Sequence, residues 1–363
     1  MSAQPSNRAE CPVFVVGCHR SGTNLLYDVL LSAGGFAVYR GYLPIYKMLV
    51  PRFGDIARLE NRRHIVDAWM HSKGFRRSGL NAGEISRELM DGCRNAGDFI
   101  RIVMNDIAHQ QGMHRWAVYD PDNVLYMPAI KADIPNALFV QIVRDGRDIA
   151  VSLRKMGEFR PVPWNRKPAS AEATALYWRW MVQHGRRHGK AFPNDYIEIR
   201  YEQLVTSPEK TLATLGNFLG QELDYTRIQS TKLGRLSESN SSFRASEKAG
   251  ETNPVNRWRK MLSPEQVVSI EALAGDCLQE SGYELITSEQ ARRRTLKQAW
   301  MRSVYPTLLS SKLWMKNRTP LGRFSSLSAL EIEDSGDIGD TPEATVERAR
   351  ADSEAEPTTS ERR

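Results

Sequence analysis

The stretch Pro12-Val-Phe-Val-Val-Gly-Cys-His-Arg-Ser-Gly-Thr-Asn24 decides how this sequence folds. Its first part, Pro12–Gly17, is short, wholly apolar and rich in β-branched residues, which predicts a strand buried on both faces, as in a parallel sheet. From Leu25 to Leu30 the apolar side chains recur at helical spacing, so a helix should follow the intervening loop. The order of strand, glycine loop and helix indicates an α/β fold.

The loop Gly17–Asn24 has the Gly-x-x-x-x-Gly spacing of a phosphate-binding loop. Backbone N–H groups at a helix N-terminus bind an anion together with the helix dipole, and glycine allows close approach. A nucleoside triphosphatase would need Lys at position 23 and Ser or Thr at 24. This chain has Thr23 and Asn24, and its positive charge lies at Arg20. The loop therefore predicts anion binding without ATP or GTP hydrolysis; the alternative is a tight turn that binds nothing.

Two further strands are predicted along the chain. Ala137–Val143 is a second buried apolar run, and Tyr196–Arg200 is predicted to be a third strand, which Tyr201–Val205 would continue into a turn. A helix is predicted after the second strand and another over Thr211–Leu219. The sequence thus predicts a P-loop-like three-layer α/β fold with a central, mostly parallel sheet flanked by helices.

A second anion site is predicted where the second strand ends. Arg144 follows this strand, and Ser152 lies about two turns into the next helix. Ligands of open α/β sheets bind beyond the carboxyl ends of the strands, so this site and the loop should share one edge of the sheet. A ligand with two separated phosphate groups would fit both. The alternative is a surface salt-bridge cluster made by Arg144, Asp145, Arg147 and Asp148.

Four segments resemble, in order, the signature segments of sulfotransferases that use 3′-phosphoadenosine 5′-phosphosulfate (PAPS). The segments are Val15–Thr23, Phe139–Leu153, Ile199–Val205 (with Pro208 and Phe218–Gly220 beyond it) and Asn253–Leu262. They are most similar to the branch that contains protein-tyrosine sulfotransferases and bacterial relatives. Together they cover residues 12 to about 285.

The resemblance implies three sets of donor contacts. Contacts to the 5′-phosphosulfate are implied for Arg20, Ser21, Gly22, Thr23 and Asn24. Contacts to the 3′-phosphate and the adenine are implied for Arg144, Ser152 and Tyr201. Residues implied to close over the donor are Ser246 and Arg257.

The resemblance also implies the reaction. A sulfuryl group would move from PAPS to a hydroxyl or amine of a glycan, lipid-linked or peptide acceptor, with Arg20 stabilising the developing charge and no metal taking part. One alternative is a relative that binds PAPS or its product PAP and has lost its base. A weaker alternative is a small-molecule kinase. The acceptor is not indicated by the sequence.

Two positions depart from the family pattern. The region where many relatives carry a glutamate base reads Tyr39–Pro44 and holds no acid. Where relatives carry a lysine, before the second predicted strand, this chain has Tyr119. A catalytic base must then come from elsewhere, and the candidates are His19, Asp120 and Asp122. His19 has the alternative of being a loop residue that faces solvent.

The chain divides into segments of different composition. Residues 1–11 are expected to be a flexible N-terminus, and 12–288 a sulfotransferase domain in which 40–115 form a mainly helical insertion near the substrate cleft. Residues 289–330 are expected to be a basic amphipathic segment, and 331–363 an acidic disordered tail.

Charge is unevenly distributed between these segments. Residues 331–363 carry 11 acidic and 4 basic side chains, whereas residues 1–330 carry 32 acidic and 46 basic ones, a net charge of +14. Such a basic body is typical either of a soluble protein or of one that meets an anionic ligand or surface. The basic stretch 292–323, with apolar residues at helical spacing and no acid after Glu289, predicts an amphipathic helix on an anionic membrane surface. The alternative is a helix that packs back on the domain; no motif indicates nucleic-acid binding.

The cysteines and the apolar runs indicate the compartment. The four cysteines are scattered, which argues against a zinc site or a disulfide scaffold. The N-terminus has no apolar signal region, and no run of about 18 apolar residues exists. A cytoplasmic protein, peripheral at the membrane in the amphipathic-helix reading, is therefore expected.

Overall fold

The computed structural model describes residues 8–156, 169–231 and 255–330 of the 363-residue chain. The predictions for Ser246 and for residues 331–363 therefore lie outside the described residues.

A single parallel sheet forms the centre of the fold. Its strands are β1 Val13–Gly17, β2 Phe36–Ala37, β3 Arg115–Tyr119, β4 Leu138–Val143 and β5 Tyr196–Arg200. They lie in the order β2-β3-β1-β4-β5, and each neighbouring pair is parallel. The predicted α/β fold with a central parallel sheet is confirmed; β2 and β3 were not predicted.

The sheet separates two apolar layers, as the alternation along β1 shows. Val13 and Val15 pack on one face, and Phe14 and Val16 pack on the other. All four are completely buried, which explains why the strand is an uninterrupted apolar run. Helices therefore cover both faces of the sheet, as the predicted three-layer architecture requires.

The helices of the described residues differ widely in length. Those that precede β4 are α1 Thr23–Ala33, α2 Val50–Phe53, α3 Leu59–Met70, α4 Lys73–Arg76, α5 Ala82–Gly92, α6 Ala96–Gln110 and α7 Met127–Asp133. Those that follow β4 are α8 Gly146–Met156, α9 Ala171–Gly189, α10 Tyr201–Thr206, α11 Pro208–Leu219, α12 Tyr225–Ser230, α13 Trp258–Met261, α14 Pro264–Glu280 and α15 Leu296–Arg318. A π-helical turn covers Ile45–Leu49, and α10 stands where the sequence predicted a turn. None of the described helices is long and apolar enough to cross a bilayer.

Strand order fixes where a ligand can bind. The chain leaves β1 toward β2 and β3 on one side and continues through β4 and β5 on the other, so the order reverses at β1. Gly17 is level with Ile142, and Val15 is level with Tyr119. The segments that follow β1, β3 and β4 therefore emerge side by side at the carboxyl edge, where open α/β sheets bind ligands.

Helix α15 packs on the domain with one face only. Leu309 is buried, and Tyr305 and Leu313 pack beside it against the core. Arg302 on this side pairs with Asp276 of α14. The sequence placed all apolar residues of this helix on one face, whereas the structure divides them between a packed face and an exposed one.

Candidate active site

The loop between β1 and α1 turns through two left-handed residues. Arg20 has φ 70° and Gly22 has φ 102°, and the Ser21 amide donates to the Cys18 carbonyl oxygen at 3.1 Å. A Cβ on Gly22 would lie 2.5 Å from the ring of Tyr201, so the close packing requires glycine here. The loop leads directly into the N-terminus of α1, an 11-residue helix whose first amides and dipole favour an anion.

The loop residues predicted to contact the donor differ in exposure. Ser21 is completely buried, and its hydroxyl donates to the Cys18 carbonyl oxygen at 2.6 Å, so this side chain supports the turn from inside. Thr23 is buried, and Asn24 is exposed. The contacts predicted for these residues stay predictions.

Four residues of the predicted donor site meet beside this loop. The Arg20 Nε–H donates to the Ser152 hydroxyl at 3.0 Å. Arg144 donates from Nη1 to the Arg20 carbonyl oxygen at 3.3 Å, and its guanidinium lies 4.4 Å from the centre of the Tyr201 ring. Side chains from the loop, from α8, from the end of β4 and from the start of α10 thus form one cluster, the donor cluster (Arg20, Arg144, Ser152 and Tyr201).

The donor cluster concentrates positive charge in a buried place. Burial lowers the pKa of Arg20, and the neighbouring Arg144 guanidinium lowers it further. Arg144 itself is only 4% exposed. Two like charges held together at low exposure favour a bound anion, because an anion offsets both their repulsion and their lost hydration. Guanidinium and hydroxyl donors of this kind match phosphate oxygens, so the cluster fits the phosphates of PAPS.

Arg257 is brought to the cluster by a buried carboxylate. Asp148 accepts from the backbone N–H of Asn256 at 3.0 Å and of Trp258 at 2.8 Å, which fixes Arg257 between them. Burial raises the pKa of Asp148 to about 6, although Arg144 and the Trp258 amide oppose the shift. Burial likewise raises the pKa of Tyr201, and Arg257 is among the charges that lower it.

The acidic and basic residues after β4 do not form a surface cluster. Arg147 pairs at 2.7 Å with both Asp145 and Glu271, and all three side chains are buried. The Arg147 guanidinium also lies 3.9 Å from the Trp258 ring. This network joins the end of β4 to α14 and α13, whereas Arg144 belongs to the donor cluster. The surface salt-bridge alternative is therefore wrong for these residues.

A second cluster forms around Asp122 on the other side of the loop. His19 Nε2 lies 3.2 Å from Asp122 Oδ1, and the Lys47 ammonium pairs with Oδ2. Although burial opposes it, Lys47 and His19 hold the pKa of Asp122 well below its usual range. His19 is thus a partner of a buried carboxylate and only partly exposed, so the reading of a histidine that simply faces solvent is wrong.

Sequence reasoning missed Lys47. It lies in the π-helical turn, within the apolar run Leu43–Val50, and a lone cation in such a run was the one available signal. The lysine that relatives carry near the position of Tyr119 is absent here, but Lys47 brings an ammonium group to the same region through the fold.

Asp120 has an unsatisfied oxygen. It is 6% exposed, and its Oδ1 accepts from the Asp122 amide at 2.9 Å. Its Oδ2 is buried and has no hydrogen-bond partner among the described residues. Burial raises the pKa of Asp120; Lys47 opposes this and the Asp122 charge adds to it. A carboxylate with one unpartnered oxygen is suited to accept a proton from a ligand.

A cavity of about 280 Å³, here called the acceptor cavity, opens beside these groups. It is lined by His19, Asn24, Arg40, Gly41, Tyr42, Lys47, Lys73, Gly74, Arg77, Tyr119, Asp120, Pro121 and Leu330. His19 and Asn24 belong to the loop Gly17–Asn24, from here on called the anion loop, so the cavity adjoins it. Within residues 8–156, 169–231 and 255–330, no cluster of His, Cys, Asp and Glu could hold a metal ion.

Two proteins named as sulfotransferases are similar to this chain in sequence. A provisionally named protein-tyrosine sulfotransferase of Caenorhabditis briggsae is 26% identical over 221 residues, which is 59% of this chain and 66% of that protein. A second, from Caenorhabditis elegans, is 26% identical over 147 residues, which is 40% of this chain and 54% of that protein. The chain therefore spans less than two thirds of the length of either relative.

Fold comparison gives the same architecture. The sulfotransferase domain of a Synechococcus olefin synthase superposes with a TM-score of 0.50 at 15% identity, covering 78% of this chain and 99% of that domain. The sequence profile of the sulfotransferase family matches residues 12–225, more than half of the chain, and includes the anion loop, the donor cluster and the Asp122 cluster. The chain belongs to the sulfotransferase family.

Proposed function

We propose that this protein transfers a sulfuryl group from PAPS to a hydroxyl, or an amine, of an acceptor bound in the acceptor cavity. The observation that carries the proposal is one juxtaposition. Arg20 and Arg144 converge beside the anion loop, and Asp120, a buried carboxylate with one unpartnered oxygen, is among the residues that line a cavity adjoining the same loop. A cationic donor site next to a buried base is the arrangement that sulfuryl transfer needs.

The donor cluster would hold the nucleotide. The first amides of α1 and Arg20 would bind the 5′-phosphosulfate, Arg144 and Ser152 the 3′-phosphate, and the Tyr201 ring the adenine. Arg257, fixed by Asp148, would cover the donor from the start of α13. When bound, PAPS supplies the sulfuryl group and a phosphate leaving group. Arg20 then stabilises the charge that develops on the reacting oxygens.

Asp120 would serve as the base. Its Oδ2 would accept the hydroxyl proton of the acceptor, and its raised pKa makes it a stronger base than an exposed aspartate. Lys47 and Asp122 would hold Asp120 in a fixed position relative to the anion loop. Lys47 pairs with Asp122, and Asp122 in turn contacts His19 of this loop. His19 is the second candidate, since a ring held by Asp122 through Nε2 can accept a proton at Nδ1.

Two other functions remain as alternatives. A protein that binds PAP or PAPS without turnover would keep the donor cluster but would not need the unpartnered Oδ2 of Asp120 as a base. A small-molecule kinase would need a cation near the β- and γ-phosphates of ATP, where the loop has Thr23 and Asn24 in place of Lys and Ser or Thr.

Calorimetry with PAP and ATP tests the donor part of the proposal. PAP should bind at least about tenfold more tightly than ATP, because its 3′-phosphate has Arg144 and Ser152 as partners and ATP has no such group. Adenosine 5′-phosphosulfate, which lacks the 3′-phosphate, is the matched ligand control and should bind as weakly as ATP. Equal or tighter binding of ATP would refute the proposal and favour the kinase.

We also propose that this protein meets an anionic membrane surface from the cytoplasmic side, through the exposed face of α15 and the turn after it. This outer face is formed by Leu296, Trp300, Trp314, Leu321 and Phe324. Trp300 is 63% and Phe324 is 81% exposed. Trp300 and Trp314 are 14 residues apart, about four helical turns, so they point the same way. No acidic residue lies between 290 and 330, and Lys297, Arg318 and Arg323 flank the outer face, as anionic lipid requires.

Vesicle sedimentation tests this surface. The protein should bind vesicles of phosphatidylcholine mixed with phosphatidylserine, and a W300S/W314S/F324S variant should bind about tenfold less, since three interfacial aromatic groups are lost. Leu59→Ser, which removes an exposed apolar side chain elsewhere (57% exposed), is the control and should bind normally. Equal binding to pure phosphatidylcholine, or no loss in the triple variant, would contradict the membrane surface.

A further inference from the structure

A groove of about 420 Å³ lies between α9 and α15, apart from the sites described so far. It is larger than the acceptor cavity of about 280 Å³ and shares no lining residue with it. Side chains of α9 at the helical spacing i, i+3, i+4 and i+7 form one wall, namely Trp180, Gln183, His184 and Arg187. The groove is therefore a second cavity, to which sulfuryl transfer assigns no ligand.

Two buried rings fix the inner part of the groove. The Trp180 Nε1–H donates to the Ser310 hydroxyl of α15 at 2.9 Å. The His184 ring lies 4.6 Å from the Trp180 ring, and its Nδ1 is 2.8 Å from the Trp180 carbonyl oxygen. Burial lowers the pKa of His184 to about 4, and the Arg187 and His188 charges add to the shift, so the ring is neutral at pH 7. Because a carbonyl oxygen only accepts, Nδ1 carries the proton and Nε2 is left as an acceptor.

Three further polar side chains of the groove are available to a ligand. Within residues 8–156, 169–231 and 255–330, no hydrogen bond or ion pair joins the side chain of Gln183, Arg187 or Ser311 to another residue. No Asp or Glu is among the described residues that line the groove. The groove thus combines one guanidinium, which matches phosphate oxygens, with an amide, a hydroxyl and an imidazole acceptor, which match hydroxyl groups.

The α15 wall of the groove is continuous with the outer face of that helix. Thr307, Ser311 and Trp314 line the groove at the spacing i, i+4 and i+7. Trp300 lies seven residues before Thr307, almost two helical turns, and therefore on the same stripe of the helix. Trp314 is 60% exposed and belongs both to the groove and to the outer face. The groove therefore opens at the surface where the headgroups of a bound membrane would lie.

We propose that this groove binds the headgroup of one anionic phospholipid, a phosphodiester that carries a polyol, as in phosphatidylglycerol. The inference rests on the proposed membrane surface. Arg187 binds the phosphate, and the Trp314 ring contacts the lipid glycerol and the first methylene groups of the acyl chains. Gln183, Ser311 and His184 Nε2 bind the hydroxyl groups of the polyol. A headgroup that carries an ammonium finds no carboxylate in the groove and is repelled by Arg187, which selects against it.

Vesicles of equal charge separate a headgroup site from the membrane surface as a whole. The full-length protein is sedimented with phosphatidylcholine vesicles that contain the same fraction of either phosphatidylglycerol or phosphatidylserine. Net charge and apolar contacts alone would give equal binding, because each of the two lipids carries one net negative charge. With the headgroup site, the vesicles that contain phosphatidylglycerol should bind roughly fivefold more tightly. Equal binding, or tighter binding of phosphatidylserine, would overturn the inference.

Variants assign the preference to the groove. Arg187→Gln should abolish the preference for phosphatidylglycerol, while both kinds of vesicle still bind, since the outer face is unchanged. Lys190→Gln removes a positive charge just after the same helix, at an exposed residue that does not line the groove, and should keep the preference. A preference that persists in Arg187→Gln, or that is lost equally in Lys190→Gln, would show that Arg187 does not bind the headgroup.

Soluble ligands decide whether the groove takes a lipid or a free phosphodiester. Dihexanoyl phosphatidylglycerol, kept below the concentration at which it forms micelles, should bind in calorimetry about tenfold more tightly than glycerophosphoglycerol, because only the lipid has methylene groups to place against Trp314. Equal affinities would assign the groove to a soluble phosphodiester and refute the proposal.

Failure of the inference can be told from failure of the membrane surface. If neither kind of anionic vesicle binds, the membrane surface fails and the inference falls with it. If both kinds bind equally, the membrane surface stands and only the headgroup site fails.

Discussion

Replacing Arg144 by alanine should weaken the binding of PAP about 30-fold or more. The guanidinium is 4% exposed, stacks 4.4 Å from the Tyr201 ring and donates to the Arg20 carbonyl oxygen, so it is already held in the orientation in which a phosphate can be bound. Truncating one partner of a buried, hydrogen-bonded charge pair costs about 2–5 kcal/mol, which corresponds to a loss of this size or more. Calorimetry with PAP measures it directly.

Three comparisons make the Arg144 result specific. Arg154→Ala, in the last turn of the helix α8 that follows Arg144 but exposed, should leave PAP affinity unchanged. Arg144→Lys should fall between wild type and alanine, because lysine keeps the charge but loses the planar fork and the stacking on Tyr201. A dissociation constant for PAP that changes less than about threefold in Arg144→Ala would show that this arginine does not hold the nucleotide.

The same variant should stay folded, with an altered pH dependence of stability. Arg144 lowers the pKa of its like-charged neighbour Arg20, so removing it relieves a repulsion. Arg144 also opposes the rise in the pKa of Asp148, which is about 6. A carboxyl whose folded pKa exceeds its unfolded value of about 3.9 stabilises the protein least at high pH, and stability falls as pH rises between the two values. Without Arg144 the folded pKa of Asp148 should rise further, so the pH range over which stability falls should extend above pH 6. Urea unfolding of both proteins at pH 5 and pH 8 would measure the larger loss of stability in Arg144→Ala.

The donor side of the site could be predicted from the sequence because its residues are local to strand ends. Buried parallel strands are uninterrupted apolar runs, so the ends of β1 and β4 are visible, and the residues just beyond them must lie at one edge of the sheet. Arg20 and Arg144 are found together for this reason. The third strand predicted from the sequence is β5 of the structure and has the predicted bounds. It brings Tyr201 to the same edge of the sheet.

The acceptor side could not be predicted in this way. Lys47 is far in sequence from Asp122, and only the packing of the helices between β2 and β3 brings the two together. Tyr119 ends a strand, β3, that was not predicted, so the position of Asp120 at the carboxyl edge was not visible either. Charge spacing was also misleading for Arg147, whose partner Glu271 is 124 residues away in a different helix. Contacts between distant segments are fixed by tertiary packing, which local patterns do not encode.

Asp120→Asn should abolish sulfuryl transfer while leaving the binding of PAP intact. Removing a positioned general base typically costs about 10²–10⁴-fold in kcat, and asparagine preserves the size of the side chain and the acceptor for the Asp122 amide. Steady-state transfer of labelled sulfuryl groups from PAPS to an acceptor, found by screening hydroxyl and amine compounds for turnover, measures kcat, and calorimetry measures PAP affinity in the same preparation.

The pH dependence distinguishes Asp120 from His19 as the base. In the wild-type enzyme kcat should fall as pH decreases through the pKa of Asp120, which burial raises above its ordinary value, because the protonated carboxyl cannot accept the acceptor proton. In Asp120→Asn this acidic limb should disappear from the residual rate. His19→Gln, which can still donate to Asp122, should keep the limb and most of kcat. The reverse pattern, with activity lost in His19→Gln and kept in Asp120→Asn, would assign the proton transfer to the histidine. If both single variants keep wild-type kcat, neither residue is the base, and the reaction must draw its proton acceptor from another part of the acceptor cavity.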